Sequence, residues 1–427
     1  MPDLTPLFLP QLKNNRISGF DMGTELILPA YDGQSILNIP SSICHWLGAP
    51  GLASPKLTPQ ILEKLQGEFQ RVIVVLMDAL ALHRLQRWMT DGTAPIWQEL
   101  SQQGILAPIT SVTPSTTSAA LTTLWTGCSP AQHGITGYEM WMKEYGIIAN
   151  TILHAPITFR NDVGSLERAG FEPEKYLPFP TLATHLAQYG IQTYAMQHHS
   201  IARSGLSKML LNQATIHTFN TAADLWINLR RNIEQKPVQK SYTWVYWSEV
   251  DHFSHIYGPD DERTAAEFGH FSQSMQQLFL ERLNPSLRKD TLLILTADHG
   301  QIATPQHPRY ELRNHPDLIR RLHMTPTGEN RLTFFYPKPG EVEAVRDYIL
   351  STWPHEFSVF DSFRAAEAGL FGPGTQHPGL LDRIGDLMAV SLKDAYFWWA
   401  DKDNPLSGRH GGLHSDEMLV PFLAASL

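Results

Sequence analysis

Asp78, Asp251, Asp298, His255, His299 and His410 carry the donor atoms that hold divalent metals, and their placement along the chain is regular. Asp78 directly follows the apolar run Arg71-Val-Ile-Val-Val-Leu-Met77. Asp251 comes shortly after Tyr242-Thr-Trp-Val-Tyr-Trp247, with His255 one helical turn further on. Asp298-His299-Gly300 closes the run Thr291-Leu-Leu-Ile-Leu-Thr296, and His410 sits in the glycine-rich Gly408-Arg-His-Gly-Gly412. Carboxylate and imidazole together form a mixed ligand set suited to zinc or manganese, and two such sets can hold a metal pair about 3.5–4 Å apart. Taken singly, an aspartate after a strand is more often a helix cap or a turn residue. The coincidence of three acidic strand ends, two of them with histidine partners, is what points to a metal site.

The elements that must position these residues read as an α/β fold. The runs at 71–77, 191–196, 242–247 and 291–296 are β-branched and continuously apolar, as in strands buried on both faces of a parallel sheet. Between them lie helical patterns at about 80–103, 117–126 and 182–190, and a face of Phe268, Phe271, Met275 and Leu278 at helical spacing. A strand is expected near 105–113, and a last one at 418–423, where Pro421 argues for an edge or terminal position. Strands alternating with helices predict a mainly parallel sheet covered on both sides. In such sheets ligands bind beyond the carboxyl ends of the strands, where the acidic residues stand.

The texture changes between 302 and 395, where Pro305, His307, Pro308, His315 and Pro316 punctuate the chain. A strand at 331–336, a helix at 342–352 and a strand at 386–392 make this an inserted, cap-like lobe. Residues 1–66, rich in Pro, Leu and Asn, read as a lead-in packed on the core, which leaves 67–301 and 396–427 for the catalytic domain.

Bulk properties narrow the function. The 427 residues are 42% hydrophobic and 18% charged, ordinary for a globular protein. The formal charge of −9 is spread without basic runs, which argues against a nucleic-acid-coating surface. It leaves room for a small phosphorylated substrate, because bound metals reverse the local field. Cys44 and Cys128 cannot build a disulfide framework. Met1–Phe20 shows no secretory pattern, and no run reaches the roughly 18 apolar residues of a membrane span, so a cytoplasmic location is expected. Oligomeric state is not written in any of these features.

One segment turns the metal set into a specific expectation. Thr113-Pro-Ser-Thr-Thr117-Ser-Ala-Ala-Leu-Thr-Thr-Leu-Trp-Thr-Gly127, followed by Cys-Ser-Pro-Ala-Gln-His-Gly-Ile135, resembles the nucleophile segment of the type I phosphodiesterase/nucleotide pyrophosphatase family of the alkaline phosphatase superfamily. Asp78, Asp251 with His255 before Gly258-Pro259, Asp298-His299-Gly300 and Gly408-x-His410-Gly resemble the family's remaining motifs, in the same order. The resemblance covers about 70–300 and 405–425. It implies an alkaline-phosphatase-like three-layer α/β/α sandwich with an inserted smaller lobe. It also implies two divalent metal ions, zinc or else manganese. Asp251, His255 and His410 would hold one, and Asp78, Asp298 and His299 the other, with the Thr117 hydroxyl between them as ligand and nucleophile. Metal coordination makes a threonine hydroxyl reactive at neutral pH.

Two departures bear on the substrate. The family's diesterases usually carry a phosphate-binding asparagine where this chain has Tyr138, whose hydroxyl can donate from a different place. Ser118-Ala119-Ala120 replaces a segment that usually brings an aromatic to the nucleotide side of the site. Phosphonate or phosphomonoester hydrolysis is therefore the alternative within the superfamily, and an inactive binding protein is the alternative outside enzymology. Cys128-Ser-Pro-Ala-Gln132 resembles a sulfatase signature out of register, since Thr117 stands where the sulfatase cysteine would and Leu121 where its arginine would. His414 competes with His410 as a ligand, though the glycine context favours His410. His198, His199 and His252 show no ligand spacing. Trp398-Trp399 either lines a pocket or packs in the core.

Overall fold

Seven segments form the main sheet: β1 (Arg71–Met77), β2 (Ile105–Thr110), β3 (Gln192–His198), β4 (Thr215–Phe219), β5 (Ser241–Trp247), β6 (Thr291–Thr296) and β7 (Leu419–Ser426). In the computed structural model, which describes residues 3–158 and 162–427, their spatial order is β2-β7-β6-β1-β5-β3-β4. Only β7 runs antiparallel to its neighbours. The apolar runs explain the order: β1, β5 and β6 are buried along their whole length, so they occupy the middle of a sheet covered on both faces.

Three layers result. Trp125, on the Thr117–Thr126 helix, packs edge-on to Tyr242 and Trp244 on one face of β5. Phe271, on the Glu262–Met275 helix, packs 4.9 Å from Trp247, which alternation places on the other face. The register of the central strands matters most for function. Met77 pairs with Trp247 and Leu76 with Thr296, so β6, β1 and β5 end side by side and level. The residues that follow those ends are therefore delivered to one edge of the sheet.

Two expectations needed revision. The pattern at 80–103 is two helices, Leu82–Thr90 and Ile96–Gln103, separated where Gly92 takes φ 91° and Pro95 follows. The last strand is interior, between β2 and β6. Its Pro421 faces Pro108 of β2 and lies one residue before the register with β6 begins at Phe422. The missing N–H thus falls where little of the ladder depends on it.

A second seven-stranded sheet is entirely antiparallel, in the order Phe357–Asp361, Leu387–Ser391, Leu332–Phe335, Thr327–Gly328, Glu139–Met142, Ile147–Asn150, Ala155–Pro156. It takes three of its strands from 139–156, so it is not confined to the 302–395 segment. Alternation divides its side chains between two cores. Leu332, Phe334, Met388 and Val390 join the main core, while Phe335, Leu387 and Ala389 pack with Trp353, Phe357 and Phe397 in a second cluster. Residues 3–66 also contribute to the main core, through Phe8, Leu12, Leu28, Ile43 and Trp46 among others. Among the described residues, no helix is long and apolar enough to cross a membrane.

Candidate functional site

Asp78 leaves β1 through a strained turn. Ala79, immediately after it, adopts φ 61°, a left-handed conformation that costs a non-glycine residue on the order of 1–3 kcal/mol. Its N–H reaches Asp298 Oδ1 at 3.3 Å, tying the end of β1 to the end of β6. Asp251 and His255 project from the Glu249–Tyr257 helix, which starts just past β5. His299 follows Asp298, and the next residue, Gly300, is required by a close approach: a Cβ there would collide with the Asp416 carbonyl oxygen. His410 arrives on the loop before β7. Its neighbour Gly411 has φ 108°, and a Cβ on it would strike the Glu329 side chain. That loop is pinned by a fully buried ion pair, Arg331 Nε to Glu417 Oε1 at 2.8 Å, while the same carboxylate accepts the Gly412 N–H at 2.9 Å.

These elements bring all six metal-binding candidates and Thr117 together. His299 Nε2 lies 3.5 Å from both Asp78 Oδ1 and Asp298 Oδ2, and 3.2 Å from Thr117 Oγ1. Asp251 Oδ1 lies 3.3 Å from His255 Nε2 and 3.8 Å from His410 Nε2. The His299 and His410 rings stack with centroids 3.9 Å apart. Donor atoms of Asp78, Asp298 and His299 fall within 4.8 Å of one another, as do those of Asp251, His299 and His410. His299 thus stands between the two groups rather than in one of them alone. His414 is elsewhere, its ring nitrogen accepting from Asp416 N–H at the start of a short helix.

The donor set fits divalent cations on two independent observations. First, each histidine turns Nδ1 to a backbone carbonyl: His255 to Gly408 at 2.9 Å, His299 to Gly300 at 2.9 Å, His410 to Ser115 at 3.2 Å. A carbonyl only accepts, so Nδ1 of His299 and of His410 carries the proton and Nε2 presents its lone pair to the carboxylates, the arrangement metal-ligating histidines adopt; at His255 the same nitrogen also faces the Gln301 side-chain amide. Second, Asp78 Oδ1, Asp251 Oδ1 and Asp298 Oδ2 are buried without any hydrogen-bond partner. Buried acceptors left unmatched cost free energy that a cation offsets. The charge balance agrees. Burial and then the Asp298 and Asp251 carboxylates push Asp78 well above the usual carboxylate range. Burial likewise raises Asp298. Burial, with His299 and His255 nearby, holds the His410 imidazole well below its ordinary value.

Thr117 is the first residue of its helix, after Thr116 in extended conformation, and Gly127 ends that helix at φ 64°. The Thr116 hydroxyl does not cap the helix. It donates to Glu329 Oε1 at 2.6 Å, which leaves the first-turn amides without a side-chain partner, next to the nucleophile. Glu329 Oε1 also accepts the Tyr138 N–H at 2.7 Å. Burial pushes the Glu329 carboxyl up to about 8. Its side chain stands between the Thr116 and Gly411 segments, on the wall of a cavity of about 380 Å³ that opens onto Thr117. Tyr138, Glu139, Trp398, Trp399 and Lys402 line the same cavity.

Several of these residues gave no signal in the sequence. Glu329 lies where the chain reverses between two paired strands of the second sheet, Thr327–Gly328 and Leu332–Phe335, far in sequence from any motif. Tyr246, on β5, donates its hydroxyl to Asp78, and the Gln301 side-chain amide meets His255 Nδ1 at 2.9 Å. A β5 tyrosine reads as core, and only the register reveals its partner. Trp398 and Trp399 do line the cavity, and Trp399 Nε1 donates to Glu139 at 2.7 Å. Ser118, Ala119 and Ala120 are buried inside the helix packing. Cys128 is a buried free thiol pushed up to about 11 by burial, and Cys44 is free as well.

The likeness to known proteins agrees with this geometry. A family model described as type I phosphodiesterase / nucleotide pyrophosphatase matches residues 72–413. Murine ectonucleotide pyrophosphatase/phosphodiesterase 5 is similar in structure, with TM-score 0.59 and 19% identity, over 83% of this chain and 87% of that one. Its human counterpart gives 0.58 and 17%, over 83% and 87%. Phosphonoacetate hydrolase from Sinorhizobium meliloti 1021 gives 0.59 and 17%, over 82% of this chain and 89% of that one.

Proposed function

Because the chain belongs to the type I phosphodiesterase/nucleotide pyrophosphatase family and is a phosphoric ester hydrolase, we propose that it cleaves phosphodiester or phosphoanhydride bonds of small substrates by covalent attack from Thr117. The observation that carries this reading is the position of Thr117 Oγ1, at a helix start and 3.2 Å from His299 Nε2, beside three carboxylates each with a buried oxygen that has no hydrogen-bond partner. Asp78, Asp298 and His299 would hold one divalent ion, and Asp251, His255 and His410 the second, with Thr117 between them. Zinc suits this mixed donor set best, and manganese is the alternative. When bound, such ions lower the pKa of a coordinated hydroxyl and offset charge on phosphoryl oxygens.

The chain's own residues supply the nucleophile and its orientation. Thr117 Oγ1 loses its proton and bonds to phosphorus as the bond to the leaving oxygen breaks, that oxygen taking up the proton, which gives a phosphothreonine. Water then forms the new bond to phosphorus as the Oγ1–P bond breaks, and a proton of that water returns to Thr117. The first-turn amides of its helix favour the anionic phosphoryl oxygens. The Nδ1–carbonyl bonds of His299 and His410 keep those imidazoles from rotating during the cycle.

Replacing Thr117 with alanine tests the nucleophile. Turnover should fall at least about a thousandfold while metal content stays close to wild type; an active variant ends the claim. Bis-p-nitrophenyl phosphate, p-nitrophenyl phosphate and phosphonoacetate, assayed with zinc or manganese, separate the substrate classes. Preference for the monoester sinks the diester reading. Phosphonate hydrolysis is the second reading, favoured by the absence of an aromatic at Ser118-Ala119-Ala120 and by the likeness to a phosphonoacetate hydrolase.

A further inference from the structure

Thr117 lies on the wall of a second cavity, and that cavity is chemically unlike the first. It measures about 60 Å³ and is lined by Thr117, Leu206, Leu211, Trp244 and Gln197 among others, none of them charged. The large cavity, by contrast, carries Asp251, Glu139, Glu329, Lys402 and Arg409. Ile152 borders both, so the two spaces meet at the nucleophile. The small one contains an unmatched polar group: Gln197 is 5% exposed, and its Oε1 has no hydrogen-bond partner. Trp244, 1% exposed, has its Nε1 equally without one. A buried amide oxygen and a buried indole N–H left unpaired by the protein are groups that a ligand or water can satisfy.

We propose that this cavity is the subsite for the smaller of two substituents on phosphorus, a short, uncharged hydroxyalkyl group whose hydroxyl pairs with the Gln197 amide. The inference rests on the diester reading, since a monoester has a single substituent to place. The volume sets the size: about 60 Å³ of space for water-sized spheres, at roughly 10–15 Å³ for each, is the room of about four waters or a short alkyl chain. The walls set the chemistry. Leu206, Leu211 and Trp244 favour hydrocarbon, and with no counter-charge among the lining residues an ammonium or carboxylate tip would be desolvated without compensation. A bulky or charged substituent belongs in the large cavity, where aromatic faces and ionisable groups await it. The substrate is accordingly asymmetric.

The test uses metal-loaded enzyme and p-nitrophenyl phosphodiesters whose second group is methyl, butyl, 3-hydroxypropyl or octyl, so that the leaving group is constant. The 3-hydroxypropyl ester should give the highest kcat/KM, above butyl by about three- to tenfold, the worth of one neutral hydrogen bond. The octyl ester should be lowest. Gln197→Leu should erase the advantage of hydroxypropyl over butyl and keep butyl turnover. Leu211→Phe, which narrows the cavity, should shift the preference to the methyl ester and serves if Gln197→Leu does not fold. Equal turnover of all tails, or an undiminished hydroxyl advantage in Gln197→Leu, overturns the subsite and leaves the cavity to water. Should p-nitrophenyl phosphate prove the better substrate, the diester reading fails on its own, and the same diesters as competitive inhibitors still decide the subsite by their tail order.

Discussion

In the main sheet, β6, β1 and β5 run parallel and end level, so three separate stretches of chain deliver Asp298, Asp78 and Asp251 to one edge. In the second sheet, short antiparallel strands from 139–156 and 327–391 meet and deliver Glu329, Glu139 and Tyr138 to the wall beside them. The first arrangement gathers three carboxylates, each with a buried oxygen that no hydrogen bond in the protein matches. The second gathers groups already satisfied within the protein: Glu329 by Thr116 and Tyr138, Glu139 by Trp399. Burial pushes up carboxyls in both regions, but the first leaves acceptor oxygens unmatched and the second matches them with hydrogen-bond donors. Substitutions should therefore behave oppositely in the two places.

The largest contrast is expected at Asp298. Burial and its neighbours raise both Asp298 and Asp78, which means their ionised forms destabilise the metal-free fold. Asp298→Asn removes one charge from that cluster. Turnover should drop by roughly a thousandfold or more, an effect on the order of 4 kcal/mol on the barrier. The melting temperature of the chelator-treated protein should nevertheless rise above that of wild type, and its increase on adding zinc should shrink. Thermal melts with and without zinc check this. A variant less stable than wild type in the metal-free state would mean that Asp298 is structurally satisfied, like the residues of the second sheet.

The same contrast explains what the sequence could disclose. β-branched runs such as 71–77 and 291–296 announce central strands because both faces are buried, and the residue after such a run is placed by the strand itself. Asp78 and Asp298 were legible for that reason, and Thr117 through the motif around it. The second sheet offers that signal only in part, at 331–336 and 386–392. Its strands at 139–142, 147–150 and 327–328 are too short to show a period, and their pairing joins segments far apart in the chain. Glu329 could not be found without that pairing. Pro421 misled for a related reason: its meaning depends on Pro108 across the ladder, and a single sequence does not display who faces whom.

Glu329 gives a smaller and more selective effect. Glu329→Ala leaves the Thr116 hydroxyl and the Tyr138 N–H without their acceptor, at a cost of about 1–3 kcal/mol. Because Thr116 precedes the nucleophile, kcat should fall about tenfold or more with KM nearly unchanged. Glu329→Gln keeps a carbonyl oxygen that can accept both bonds, so it should restore most of kcat. That rescue marks a positioning role. A Gln variant as slow as Ala would show that the carboxyl acts through its charge or proton, and the second region would then share the electrostatic character of the first.

The smallest effect is expected at Tyr138, the position where the family's diesterases usually bind phosphate. Here the residue contributes its backbone N–H to Glu329 at 2.7 Å, and its side chain is 40% exposed on the cavity wall. The backbone bond survives any substitution that keeps the main chain in place, so Tyr138→Phe should change kcat/KM by less than about threefold, within the worth of a weak hydrogen bond. If the hydroxyl instead gripped a phosphoryl oxygen in the transition state, a charge-assisted bond would be lost and kcat would fall by roughly tenfold to a hundredfold. Kinetics of Tyr138→Phe on a diester and a monoester decide between these outcomes. A selective loss on one of them would also show that the second sheet reads the phosphoryl group directly, whereas an unchanged enzyme would confine its work to shaping the space that the metal-bearing edge acts upon.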